Sequence, residues 1–209
     1  MNVYAVWADG DTFSHLRVDT RHCRTDEEAL ALEQVFWFEG ERCRGWKAPR
    51  VYIDYPKRPT PDFWQIGVNA GAFAVAEETL EQAAMLLEMA GELLPLPTKE
   101  GLLSICNILE CVDCVDEERS ERRLREWPGK PEKNWTTIER PAFFPRAMPE
   151  STLFKIPQRP RDIYCWERDA DPVGEFKAFV EANKLTGLRF RLVWCEERGI
   201  VQPGLPSRK

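Results

Sequence analysis

The sequence predicts an α+β fold: a mixed or antiparallel sheet with a few flanking helices, in one domain or two small lobes. Three observations carry this. Several short segments alternate apolar and polar residues, as half-buried strands do. Proline clusters separate them. Only a few stretches repeat apolar residues at helical spacing. At 209 residues, 43% apolar and 31% charged, the chain has the composition of a globular protein and the length to bury a real core.

Residues 1–8 alternate weakly and are expected to form a first strand. Thr25-Asp-Glu-Glu opens a capped helix carrying Ala29, Leu30, Leu32 and Val35. Phe36-Trp37-Phe38 is expected to end it in the core. Residues 50–55 alternate as a strand, and Pro56, Pro59 and Pro61 mark a connecting loop. A helix is predicted over 74–91, with Leu80, Ala83, Ala84 and Leu87 on its apolar face and Gly91 as its stop. Residues 102–114 fit a helix by spacing and a strand by composition. Residues 116–126 are charge-dense and read as an exposed turn or short helix, where Glu118–Arg122 and Glu121–Arg125 would be i,i+4 pairs. The proline-rich stretch 127–150 reads as irregular, with one short strand at 135–138. Short strands are expected at 152–156 and 162–166, and a helix opening at Pro172 with Phe176, Phe179 and Val180 inward. A final strand is expected at 188–195. The expected organisation is an N-terminal α/β part at 1–60, an α+β domain at 61–198 and a loose tail at 199–209.

The net charge of −6 argues against non-specific nucleic-acid binding, which needs a cationic surface. No run of about eighteen apolar residues suggests a membrane span, and residues 1–9 lack the features of a secretory signal. A cytoplasmic location is therefore expected. The charge is uneven. Residues 61–118 hold twelve acidic side chains and one basic, Lys99, for a net −11, while 1–60 sum to −1 and 119–209 to +6. On the predicted helix, Glu77, Glu81, Glu88 and Glu92 share a face opposite the apolar one, if the last turn reaches Glu92, with Met85 beside them. Like charges at i,i+4 cost about 0.2–0.5 kcal/mol per pair. The stripe is either a solvated face or a binding surface for a cationic partner.

Seven cysteines, an odd number set largely in apolar runs, fit free buried thiols better than a disulfide framework. Cys111-x-x-Cys114 lacks the second ligand pair of a structural zinc site, since the only histidines are His15 and His22. The span Gly40-Glu-Arg-Cys-Arg-Gly45 narrowly misses a phosphate loop, because Trp46 stands where the lysine should be and Lys47 comes one place late. Adjacent His22 and Cys23 are poorly placed to act as a catalytic pair. No cofactor is expected. Eight tryptophans and twenty arginines among 29 basic residues supply interface anchors if a few are exposed.

An ordered series of segments resembles the immunity protein 11 family of bacterial polymorphic toxin systems. These are Asp62-Phe-Trp-Gln-Ile-Gly67, Ala74-Val-Ala-Glu-Glu-Thr-Leu80, the run Leu109-Glu-Cys-Val-Asp-Cys-Val-Asp116, Leu153-Phe-Lys-Ile-Pro157, Asp162-Ile-Tyr-Cys-Trp166 and Leu185-Thr-Gly-Leu-Arg-Phe190. The resemblance implies an immunity-type domain over 61–198, a strand at 102–114, and a cytosolic antidote that binds a cognate protein toxin. Occlusion would be stoichiometric, with no catalytic residues, and a toxin with a basic substrate groove would meet the glutamate stripe. The alternatives are an enzyme using carboxylate or thiol chemistry, and a general protein-binding adaptor.

Overall fold

The computed structural model describes residues 1–67, 70–126 and 135–201. The chain runs β1 (Asn2–Ala8), β2 (His15–Val18), α1 (Asp26–Glu33), β3 (Val51–Asp54), β4 (Phe63–Gln65), β5 (Ala72–Ala76), α2 (Glu77–Ala90), β6 (Gly91–Pro97) and β7 (Leu102–Ile108). It continues through β8 (Val115–Arg125), β9 (Trp135–Phe143), β10 (Leu153–Ile156), β11 (Arg159–Glu167), α3 (Phe176–Ala182), β12 (Leu188–Cys195) and β13 (Gly199–Ile200). The fold is α+β. A five-stranded sheet has the order β10-β11-β1-β12-β13 and a four-stranded sheet the order β4-β5-β7-β6, while β2–β3 and β8–β9 form separate ladders. Every pairing between named strands is antiparallel. Among the described residues, no helix is long and apolar enough to cross a membrane.

Strand alternation divides the interior. Val6, Ile163 and Cys165 of the larger sheet and Phe73, Val75 and Cys106 of the smaller one share a core with the buried faces of α2 and α3. The opposite face of the smaller sheet, with Ala74, Leu94 and Ile105, packs against Leu16, Val18, Phe36 and Phe38. The opposite face of the larger sheet, with Val3, Phe154 and Tyr164, is covered by Val115, Ile138 and Phe143 of the β8–β9 ladder. Of the 102–114 segment, Leu102–Ile108 forms strand β7 for this reason, while 109–114 lie beyond the strand. Its alternate residues Leu103 and Ile105 face one core while Cys106 and Ile108 face another, so both sides must be apolar.

Residue 60 does not divide the sheets, because β1 lies between β11 and β12 and pairs with both. The predicted cap holds: Thr25 accepts from the Glu28 N–H at 3.1 Å. Helix α1 nevertheless buries none of its own residues. The expected core end forms through Phe36 and Phe38, with Trp37 exposed between them.

Four expectations need correction. Residues 116–126 are mostly strand β8, and the short strand expected at 135–138 extends to Phe143 as the nine-residue β9; the part of that stretch at 127–134 lies outside the described residues. Locally these charges satisfy helical pairing, but the partner strand supplies better pairs across the ladder. Arg140 meets Glu121 at 2.7 Å and Arg123 meets Glu139 at 3.1 Å, in place of i,i+4 contacts. The last helix begins at Phe176 rather than Pro172, because Glu175 turns inward and accepts backbone N–H bonds from Arg168, Asp169 and Asp171. The tail begins with β13, which pairs with Trp194 and Cys195; 202–209 lie outside the described residues.

Three segments distant in sequence meet at Asp62. Asp62 Oδ2 accepts from both the N–H and the hydroxyl of Thr186 at 2.7 Å, and Asp62 Oδ1 accepts from Thr79 of α2 at 3.4 Å. Gly187 follows with φ +94°, and a Cβ there would strike the Phe63 carbonyl.

Lys155 of β10 is fully buried, and its Nζ donates to the Phe38 carbonyl at 2.7 Å. Burial pushes its ammonium down from 10.5 to about 8. Between those values the unfolded chain holds a proton that the folded chain has lost, so this group's contribution to stability rises with pH. Denaturation of the native chain and of Lys155→Met at pH 7.5 and pH 10.5 is expected to show the native chain gaining up to about 3 kcal/mol relative to the variant. An unchanged difference would mean that the ammonium is not strained by burial.

Candidate partner-binding face

Helix α2 starts without a side-chain cap, three residues later than its periodicity predicts, because Ala74 and Val75 continue β5. Glu77 and Glu78 occupy its first turn, where the unsatisfied N–H groups favour negative charge. Thr79, Ala83, Leu86, Leu87 and Ala90 are buried, and Leu80 packs at the edge of the same core. The last turn carries no basic residue.

The helix stops at Ala90 because β6 begins at once. Gly91 pairs with Ile108 of β7, and a Cβ on Gly91 would overlap the Asn107 carbonyl oxygen. Glu92 therefore belongs to a strand and not to the helix stripe. Its Oε1 accepts from the Cys43 N–H at 2.6 Å and from Asn107 Nδ2 at 2.9 Å, and Arg42 lies 3.6 Å from Oε2. Asn107 is itself fully buried and also donates to the Glu41 carbonyl at 2.9 Å. Glu92 is thus a tether holding the 41–43 loop to the smaller sheet. Sequence spacing missed this because the loop is some fifty residues away along the chain.

The remaining predicted residues do gather. Glu77, Glu81, Met85 and Glu88 are all exposed on one side of α2, and Glu78, Gln82 and Met89 widen the face. At 100° per residue the three stripe glutamates fall within roughly 40° of arc. Among the described residues, no cationic side chain lies within 4.0 Å of Glu77, Glu78, Glu81 or Glu88. Met85 and Met89 are 58% and 52% exposed, one turn apart. The face therefore offers an uncompensated negative field beside two flexible, polarizable apolar side chains. That combination attracts a cation at long range and packs adaptably at contact.

The thiol alternative has less to work with. Burial pushes Cys106 and Cys114 up to about 12 and Cys165 well above its ordinary value, and it raises Cys43 and Cys111 as well. Both members of Cys111-x-x-Cys114 are thus held as thiols. Only Cys195 is lowered: burial opposes its ionisation, but the Arg198 guanidinium, donating to Sγ at 3.4 Å, outweighs it. His15 is buried with Nε2 3.4 Å from Asp54, and His22 is exposed. Among the described residues, no group of three or more His, Cys, Asp or Glu is arranged to hold a metal ion.

Sequence reasoning gave little weight to the arginines of the basic C-terminal segment, several of which line one cavity with an arginine-rich wall. Their positions are scattered, so no local pattern announced it.

The two roles of glutamate here are separable. Glu92→Ala is expected to lower stability by about 1–3 kcal/mol by leaving the Cys43 and Asn107 donors unpaired. Glu81→Lys should stay within about 0.5 kcal/mol of the native chain, as exposed substitutions usually do. Urea titration checks both, and equal losses would refute the distinction. No model of a known protein family matches this chain, and no curated protein does.

Proposed function

We propose that this protein is a stoichiometric antidote: it binds a basic protein toxin through the outer face of α2 and occludes it, with no chemistry of its own. The observation that carries this reading is the face itself. Among the described residues, four glutamates with no cation within 4.0 Å lie beside two exposed methionines on one helix. Such a stripe is unfavourable to the isolated fold, because Glu77 and Glu81 repel across one turn and Glu88 approaches the negative end of the helix dipole. A cationic partner would relieve both costs. The resemblance to the immunity protein 11 family supplies the class of partner, and complementary charge supplies fast encounter and discrimination among partners.

The mechanism requires only surface complementarity. The methionines would form a compact apolar contact, and the glutamates would pair with lysines or arginines around its rim. A toxin that grips nucleic acid through a cationic groove would present the required charge, with the carboxylates standing where phosphates otherwise lie.

Co-expression with the product of the adjacent gene is expected to rescue growth and yield a stable 1:1 complex. Replacing Glu81 and Glu88 together by lysine should weaken that complex by about tenfold or more and flatten its dependence on salt. Unchanged affinity and an unchanged salt slope would remove α2 from the interface. Absence of rescue and of any complex would remove the antidote reading itself.

A further inference from the structure

One concave feature of the molecule has the opposite charge to α2. A cavity of about 590 Å³ is walled by Arg125 and Arg140 of the β8–β9 ladder, Arg159 and Arg161 at the start of β11, and Arg191 of β12. A second cavity of about 360 Å³ shares Arg159, Arg161 and Arg191 with it and has Trp7 on its wall. The carboxylates lining the first are Glu39, Glu139 and Asp162, so five guanidinium groups face three acids in a protein of net charge −6.

Arg140 is engaged by Glu121 at 2.7 Å, and the remaining four arginines are positioned but less fully paired. Arg159 meets Asp162 at 2.5 Å and Arg161 meets Glu39 at 3.3 Å, each pair about a third or more exposed. Arg161 lies over the Trp37 ring at 4.6 Å and Arg191 over the Trp7 ring at 5.4 Å, which holds both planes in place. Among the described residues, no carboxylate lies within 4.0 Å of Arg125 or Arg191.

We propose that this cavity binds a small oligophosphate, either inorganic or the phosphate chain of a nucleotide. Size is the first reason: the volume lies in the range of ligand pockets, about 300–1,000 Å³. Charge range is the second. A ligand confined to the cavity feels the local guanidinium excess, whereas a long polyanion would extend beyond the screening distance of about 8 Å into the field of a chain whose net charge is −6. An extended acidic peptide of ten residues, spanning roughly 33 Å, meets the same objection. The third reason is chemical. A carboxylate would only exchange for Asp162 or Glu39, like for like, whereas each phosphate brings more charge and more acceptor oxygens to the planar guanidinium forks. The proposal is independent of the antidote reading, since α2 contributes nothing to the cavity wall.

The test is calorimetric titration of the purified full chain with tripolyphosphate and with ATP at low salt, with amide NMR on the native chain. Saturable 1:1 binding is expected, with shifts centred on Ala5, Arg161, Arg191 and Val193. Tighter binding of ATP with a shift of the Trp7 indole would identify the nucleotide as the source, and equal binding would identify the phosphate chain alone. Arg125→Gln with Arg191→Gln should weaken binding by about tenfold or more; both side chains are exposed and have no ion pair among the described residues, so the fold should persist. The proposal is overturned by no saturable binding of either probe, by shifts centred elsewhere, by unchanged affinity in the folded double variant, or by deca-glutamate binding as tightly as tripolyphosphate.

Discussion

The architecture depends on Phe176. Its ring stacks on Phe73 at 6.1 Å, meets Phe63 edge-on at 5.8 Å and reaches Phe190 at 6.3 Å. One side chain at the start of α3 therefore joins the smaller sheet, through β4 and β5, to β12 of the larger. Aromatic pairs of this kind add about 0.5–1.5 kcal/mol each beyond the area they bury. The α3 entry is fixed from outside as well, since Glu175 caps the preceding loop and the Phe176 N–H donates to Thr152 at 3.1 Å. With the two sheets joined, α2 has only one side to bury, and its glutamates and methionines remain outward.

How much of this was legible in the sequence follows from how far apart the partners lie. Strands β1, β3 and β12 and the buried face of α2 announced themselves, because alternation and helical periodicity are local; β7 stayed open between helix and strand, because both of its faces are buried. The β8–β9 ladder was hidden because Glu121 finds Arg140 and not Arg125, and a charge-dense run carries no apolar rhythm to reveal its strand. Glu92 was misplaced for a related reason. Helical spacing extrapolates smoothly past Ala90, whereas the stop is set by the close approach of Gly91 to Asn107, a contact between strands. Of the stripe, Glu77, Glu81, Met85 and Glu88 fall where spacing put them, since nothing beyond the helix itself positions an exposed side chain. The arginine-lined cavity left only a trace, the net +6 of residues 119–209, because its walls are assembled from five separated positions.

Charge is thus segregated by shape as well as by sequence. The convex outer face of α2 is negative, and the concave wall between the β8–β9 ladder and the larger sheet is positive. In a chain of net −6, long-range attraction acts on cations, while anions are favoured only where several guanidinium groups converge. The buried thiols and the lowered ammonium of Lys155 belong to neither surface. They are consequences of packing small or long side chains into the cores where three layers meet.

The position of β1 has a consequence for biosynthesis. Strand β1 is made before the other described strands yet is the middle of the five-stranded sheet, and its neighbours β11 and β12 come some 160 and 190 residues later. At about 5–20 residues per second, roughly ten to forty seconds pass before both flanks exist. Throughout that interval Val3 and Val6 have no sheet to enter, and two unsatisfied hydrogen-bonding edges are open to other nascent chains. The larger sheet can therefore be completed only after β12 has emerged, and it cannot grow outward from β1 strand by strand as the chain is made.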